Sequence, residues 1–112
     1  MRAWVKIYLD NIDDFTDLMR SGEFRVLIHL MKYVNNNNRM YLSSRDRSQI
    51  VKALGITRQT LYNYMKKLLL NKIFIKEDSV KYFLNPYFGG YGSDDKLNRN
   101  RSEWDELLEV KE

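Results

Sequence analysis

The sequence predicts a mainly helical α+β domain in which a basic helix-turn-helix is followed directly by a β-hairpin. Three observations lead there. Apolar residues recur at helical spacing over residues 24–34 and again over 50–68, where the second stretch is broken at Gly55. Two β-prone runs, residues 73–75 and 80–84, then flank a polar turn. The chain's positive excess is confined to the segment before that hairpin. Residues 39–72 hold eight basic side chains against one acidic, a net +7, whereas residues 1–38 balance at five of each and residues 73–112 hold six basic against nine acidic.

Each element has a local reason. Ala3, Val5, Ile7 and Leu9 alternate with Trp4, Lys6 and Tyr8, the period-two pattern of a half-buried strand. Asn11 caps a short helix to about residue 19, because Asp13, Asp14 and Asp17 suit a helix N-terminus and Ile12, Phe15, Leu18 and Met19 recur at helical spacing. Ser21 caps the next helix, whose apolar stripe is Phe24, Leu27, Ile28, Met31 and Val34. The asparagine run 35–38 ends it, since asparagine tolerates the left-handed backbone, and the run is expected to be a plain loop. Residues 40–42 form a short strand, and Ser43 or Ser44 caps a helix that buries Ile50, Val51 and Leu54. Gly55 sits where a helix C-terminal glycine belongs, and Thr57 caps a further helix to about Asn71.

Beyond the hairpin, residues 88–93 place three glycines in four positions and read as a linker. Ser102 and Asp105 match a capping box ahead of Trp104, Leu107, Leu108 and Val110, which predicts a short C-terminal helix. Residues 1–87 are thus expected to form the folded domain, with the linker and helix in 88–112.

Composition narrows the chemistry. A chain of 112 residues has material for one core, and 13% aromatic content is that of a globular protein. With no cysteine, thiol catalysis, disulfides and cysteine-ligated metals are excluded. The most apolar stretch is interrupted by Arg25, His29 and Lys32 and falls well short of the roughly 20 residues that span a bilayer, so no membrane segment is expected. The first residues lack the apolar core of a secretory signal, and a cytoplasmic location is expected. His29 is the one histidine, which is too few for the clustered histidines of a metal-dependent nicking enzyme. There is also no glycine-rich phosphate loop. Neither enzymatic activity nor a metal or cofactor is expected.

Clustered cations are the electrostatic footprint of a polyanion partner. In the helix after Thr57, helical geometry sends Leu61, Met65 and Leu68 inward with Tyr64 beside them. Gln59, Tyr62, Asn63 and Lys66 share the outward face, and no acidic residue occurs between Asp46 and Glu77. The N-terminus of such a helix can enter a major groove, where Gln or Asn pairs with adenine and Arg with guanine. Candidate contacts to double-stranded DNA are therefore Thr57, Arg58, Gln59, Thr60, Tyr62, Asn63, Lys66 and Lys67. Arg45 and Arg47 of the preceding helix, with Lys76 and Lys81 of the hairpin, are candidates for phosphates. Trp4 and Tyr8 at one end, and Trp104, Leu107 and Leu108 at the other, offer apolar faces for a homodimer on paired half-sites.

The order helix, helix, helix-turn-helix, hairpin resembles a winged helix. In detail the chain is similar to the RepL-like plasmid replication initiators of Firmicutes. The likeness is carried by residues 22–27 (GEFRVL), by the LGITRQT turn at 54–60, by NKIFIK at 71–76, and by FLNP at 83–86 with the glycines and Asp94-Asp95-Lys96 after it. The resemblance implies origin-DNA binding in plasmid or phage replication, without catalysis by this chain. A winged-helix transcriptional regulator needs the same attachment to DNA. A protein-interaction winged helix would instead show a salt-independent partner.

Overall fold

A computed structural model describes residues 6–7, 22–90 and 93–111. The elements in chain order are β1 (Lys6–Ile7), α1 (Gly22–Leu30) with a 3-10 turn at Met31–Tyr33, β2 (Arg39–Tyr41), α2 (Ser44–Leu54), α3 (Arg58–Leu70), β3 (Phe74–Lys76), β4 (Lys81–Leu84), β5 (Gly89–Gly90) and α4 (Asp94–Lys111). The described chain is mainly helical α+β, and a helix-turn-helix followed by a hairpin is compatible with a winged helix. Among the described residues no helix is long and apolar enough to cross a membrane. The expected helix at 11–19 lies outside the described residues, as do Trp4 and Tyr8.

Capping chemistry sets the helix-turn-helix. The Ser43 hydroxyl accepts from the Asp46 N–H while the Asp46 carboxylate accepts from the Ser43 N–H, a reciprocal capping box that starts α2. At the other end Gly55 takes the left-handed conformation, φ 67°, where a side chain would be strained, and its N–H closes on Val51 O. Thr57 Oγ1 then accepts from Thr60 N at 3.0 Å and starts α3. Ile50, Leu54, Leu61, Met65 and Leu68 point from these two helices into one core. Val26, Leu27, Leu30 and Met31 close that core from the α1 side. The expected stripe on α1 is rotated: Ile28 is 41% exposed, while Val26 and Leu30 are buried. So many residues of α1 are apolar that several helical phases fit, and packing against α3 selects among them.

The hairpin belongs to a three-stranded antiparallel sheet of order β2-β4-β3. Its inner face adds Met40, Tyr82, Leu84 and Phe74 to the main core. Its outer face holds Phe83 and Ile75, which α4 covers with Trp104 and, less completely, Leu107 and Leu108. The C-terminal helix is therefore long rather than short. It begins at Asp94, and Ser102 lies within it instead of capping it. Trp104, 2% exposed, is committed to this sheet and is not a free face for a second copy.

Two further sequence expectations need correction. The segment at 88–93 is not simply a linker: Phe88 is buried, and Gly89–Gly90 pair antiparallel with Lys6–Ile7. The asparagine run is not a plain loop. Asn38 is buried in the left-handed region at φ 59°, and its amide donates to Leu84 O at 3.3 Å and Gly89 O at 2.9 Å. A side chain at Gly90 would collide with that amide, so only glycine lets β5 approach. Asn35 Oδ1 accepts from Asn37 N and Arg39 N, which shapes the approach to β2.

Candidate nucleic-acid interface

The outward face of α3 is expected to gather polar and basic side chains, and the geometry does gather them. Tyr62 is 56% exposed, and Gln59, Asn63 and Lys66 are exposed beside it. Gln59 Nε2 donates to Asn63 Oδ1 at 3.0 Å, one helical turn on. A cleft runs between this face and the hairpin, lined by Arg47, Tyr62, Met65, Lys66, Leu69, Lys76 and Tyr82. A second depression at the N-terminal end of α3 is lined by Arg47, Arg58, Gln59, Leu61 and Tyr62. Arg47 borders both, which places an α2 cation between α3 and the hairpin.

Tyr82 is the residue that the sequence pattern does not single out. Its hydroxyl accepts from Arg47 Nη2 at 2.7 Å, and Lys76 Nζ lies 6.0 Å from its ring centroid. The ring thus fixes one cation and borders another along the cleft floor. The only available signal is its strand register, since Tyr82 pairs directly with Lys76 across the hairpin.

Other candidates are engaged within the fold. Arg58 Nη2 donates to Ser44 O at 2.8 Å and to the Ser48 hydroxyl, tying the start of α3 to the first turns of α2. Thr57 and Thr60 are bonded to each other in the cap. The Lys67 ammonium lies 2.8 Å from the buried Glu23 carboxylate, on the α1 side of the helix. Lys81 lies on the outer sheet face, 3.9 Å from Glu77 and 5.9 Å from the Tyr41 ring centroid. Arg45 is exposed on α2, outside both depressions.

The acidic tip of the hairpin is occupied. Glu77 Oε1 accepts from Arg39 Nε at 2.8 Å, and the Arg39 guanidinium stacks 3.5 Å above the Phe83 ring on the outer face. Asp78 Oδ1 accepts from Val80 N and Lys81 N and so closes the turn. Asp46 is the one carboxylate within the basic segment. Hydrogen bonds from the Ser43 backbone and then its hydroxyl hold its pKa below the ordinary value. His29 packs against Tyr33 on α1, where burial first, then Lys32 and Arg25, lower its pKa.

What this arrangement can do is present amides and an aromatic ring to base edges while cations on two further elements meet phosphates. No curated protein and no solved structure matches the chain. The family model for the Firmicute plasmid replication protein (RepL) matches residues 2–106, nearly the whole sequence, and the chain belongs to that family of plasmid replication proteins.

Proposed function

We propose that this protein binds double-stranded DNA sequence-specifically at a plasmid origin and initiates replication there by attachment, without catalysis of its own. The observation that supports this most is the composition of the α3 face and its cleft. Gln59, Tyr62, Asn63 and Lys66 lie open, Arg47 and Lys76 line the cleft with Tyr62 and Lys66, and the wing carboxylate Glu77 is held by Arg39. Membership of a plasmid replication family supports the origin as the target. A single recognition helix reads only about three or four base pairs, too few to single out one origin among genomic sites. We therefore read the working form as a homodimer on paired half-sites, with two copies of α3.

The test is binding of an origin duplex and a scrambled duplex of equal length across a salt series. Origin preference, with an affinity that falls as salt rises, is expected. Equal, salt-independent behaviour of both duplexes would overturn the proposal. Light scattering with and without the origin duplex tests the dimer, and a protein that stays monomeric in both conditions overturns it.

A further inference from the structure

We infer that the Gln59–Asn63 hydrogen bond divides base reading on α3, so that Gln59 pairs with adenine while Asn63 reads an adjoining acceptor edge, guanine or thymine. This rests on the double-stranded DNA reading above and makes it specific.

An amide side chain is a fork with an acceptor oxygen on one prong and N–H donors on the other. Pairing with adenine needs both prongs flat against the base, the oxygen on N6–H and an N–H on N7. Here Gln59 Nε2 donates to Asn63 Oδ1 at 3.0 Å. The bond consumes one of the two Gln59 N–H groups and leaves its oxygen and second N–H, which is the set adenine requires. Asn63 is affected differently. Its oxygen already accepts from Gln59, whereas both of its N–H donors are left over. Donors alone suit guanine O6 and N7 or thymine O4. Among the described residues nothing else takes up these groups. The other polar side chains at the start of α3 are withdrawn, with Arg58 on Ser44 and Ser48 and Thr57 on Thr60. The two residues leave the helix axis about 6 Å apart, close enough to address neighbouring base pairs.

The coupling has a signature that independent readers lack. Gln59→Ala removes the adenine reader and also frees the Asn63 fork, so the neighbouring position should begin to accept adenine although Asn63 is intact. Asn63→Ala should flatten the neighbouring position and leave the adenine preference in place. Asn63→Asp offers acceptors only and should move the neighbour toward cytosine, whose N4 donates.

The experiment is selection from a randomised duplex pool at fixed salt with the full-length wild type and these three variants, each first shown by its melting curve to fold. A wild-type site with adenine beside guanine or thymine is expected, each preference roughly 5-fold or more. If Gln59→Ala changes only its own base pair, the coupling is wrong while the DNA reading stands. Salt-sensitive binding without any sequence preference likewise overturns the coupling and leaves duplex binding in place. A wild type that retains no duplex at all overturns both.

Discussion

The Lys67 ammonium is paired at 2.8 Å with Oε1 of Glu23, a carboxylate that α1 buries to 4% exposure. Its neighbour Lys66 points into the cleft between α3 and the wing. Two adjacent lysines therefore have different surroundings. Lys66→Glu should weaken binding to all duplexes about equally and flatten the slope of log K against log salt by roughly 0.9, with the melting temperature unchanged. Lys67→Glu should act on stability instead, because it sets two carboxylates together, one of them buried. Breaking a fully buried pair costs about 3–5 kcal/mol; with Lys67 half-exposed, about 1–3 kcal/mol is expected in urea unfolding. Equal effects of both changes on the salt slope would disprove the division.

Trp104 meets Phe83 edge-on, with ring centroids 5.3 Å apart and planes at 75°. This contact seals the outer face of the wing sheet. Trp104→Ala should lower the unfolding free energy by about 3–5 kcal/mol, as truncation of a buried aromatic does. Removing residues 98–112 should do at least as much, since Phe83 and Ile75 would meet water. A truncated chain that melts like the whole one would show that α4 is dispensable to the core.

The helix-turn-helix was legible because its determinants are local. Ser43, Gly55 and Thr57 act within a few residues of themselves, and Leu61, Met65 and Leu68 admit one helical phase. The phase of α1 was not legible, because its apolar residues outnumber those that one face can bury. Nor was the length of α4, whose course is set by Phe83 in a distant strand. At the site, charge located the basic helices but not which cations stay open. Lys67 is claimed by Glu23, Arg58 by Ser44 and Ser48, and Lys81 lies toward Glu77, each through a contact that charge patterning does not reveal.

Asn38 donates its amide to two backbone carbonyls, Leu84 O and Gly89 O, and it does so from a left-handed backbone. Asn38→Gly keeps the backbone preference and loses the amide, so a loss of about 1–3 kcal/mol is expected. Asn38→Ala loses the amide and strains the backbone as well, and should cost about 1 kcal/mol more. Chemical denaturation of both variants separates the two contributions. Equal stabilities would mean that φ contributes nothing here.

The capping box gives α2 a pH dependence of known sign. Asp46 titrates below its ordinary value in the folded chain, so the native state binds fewer protons there than the unfolded chain. Its contribution is complete above the ordinary carboxylate pKa and is lost as pH falls through the lowered one. His29, also lowered, produces a separate loss as pH falls through the ordinary histidine range. Ser43→Ala keeps the backbone N–H, the larger cause, and removes the hydroxyl, so it should raise the Asp46 pKa part of the way to the ordinary value and shrink the acid loss alone, leaving the histidine step. Carboxyl chemical shifts, with melting curves from neutral to about pH 2, check this. An Asp46 titration unmoved by Ser43→Ala would refute a share for the hydroxyl.

The two wing lysines lie on opposite faces of the sheet. Lys76 pairs with Tyr82 on the inner side and lines the cleft with Lys66 and Arg47, whereas Lys81 pairs with Tyr41 on the outer side near Glu77. If duplex DNA occupies the α3 cleft, only the first is placed to meet a phosphate. Lys76→Ala should then reduce affinity for origin and scrambled duplexes alike and lower the salt slope by roughly 0.9. Lys81→Ala should leave both quantities near wild type, because the ammonium it removes is on the α4 side. Salt-series binding of the two variants is the measurement. A larger effect from Lys81 than from Lys76 would place the DNA along the outer face of the wing and move the interface away from α3.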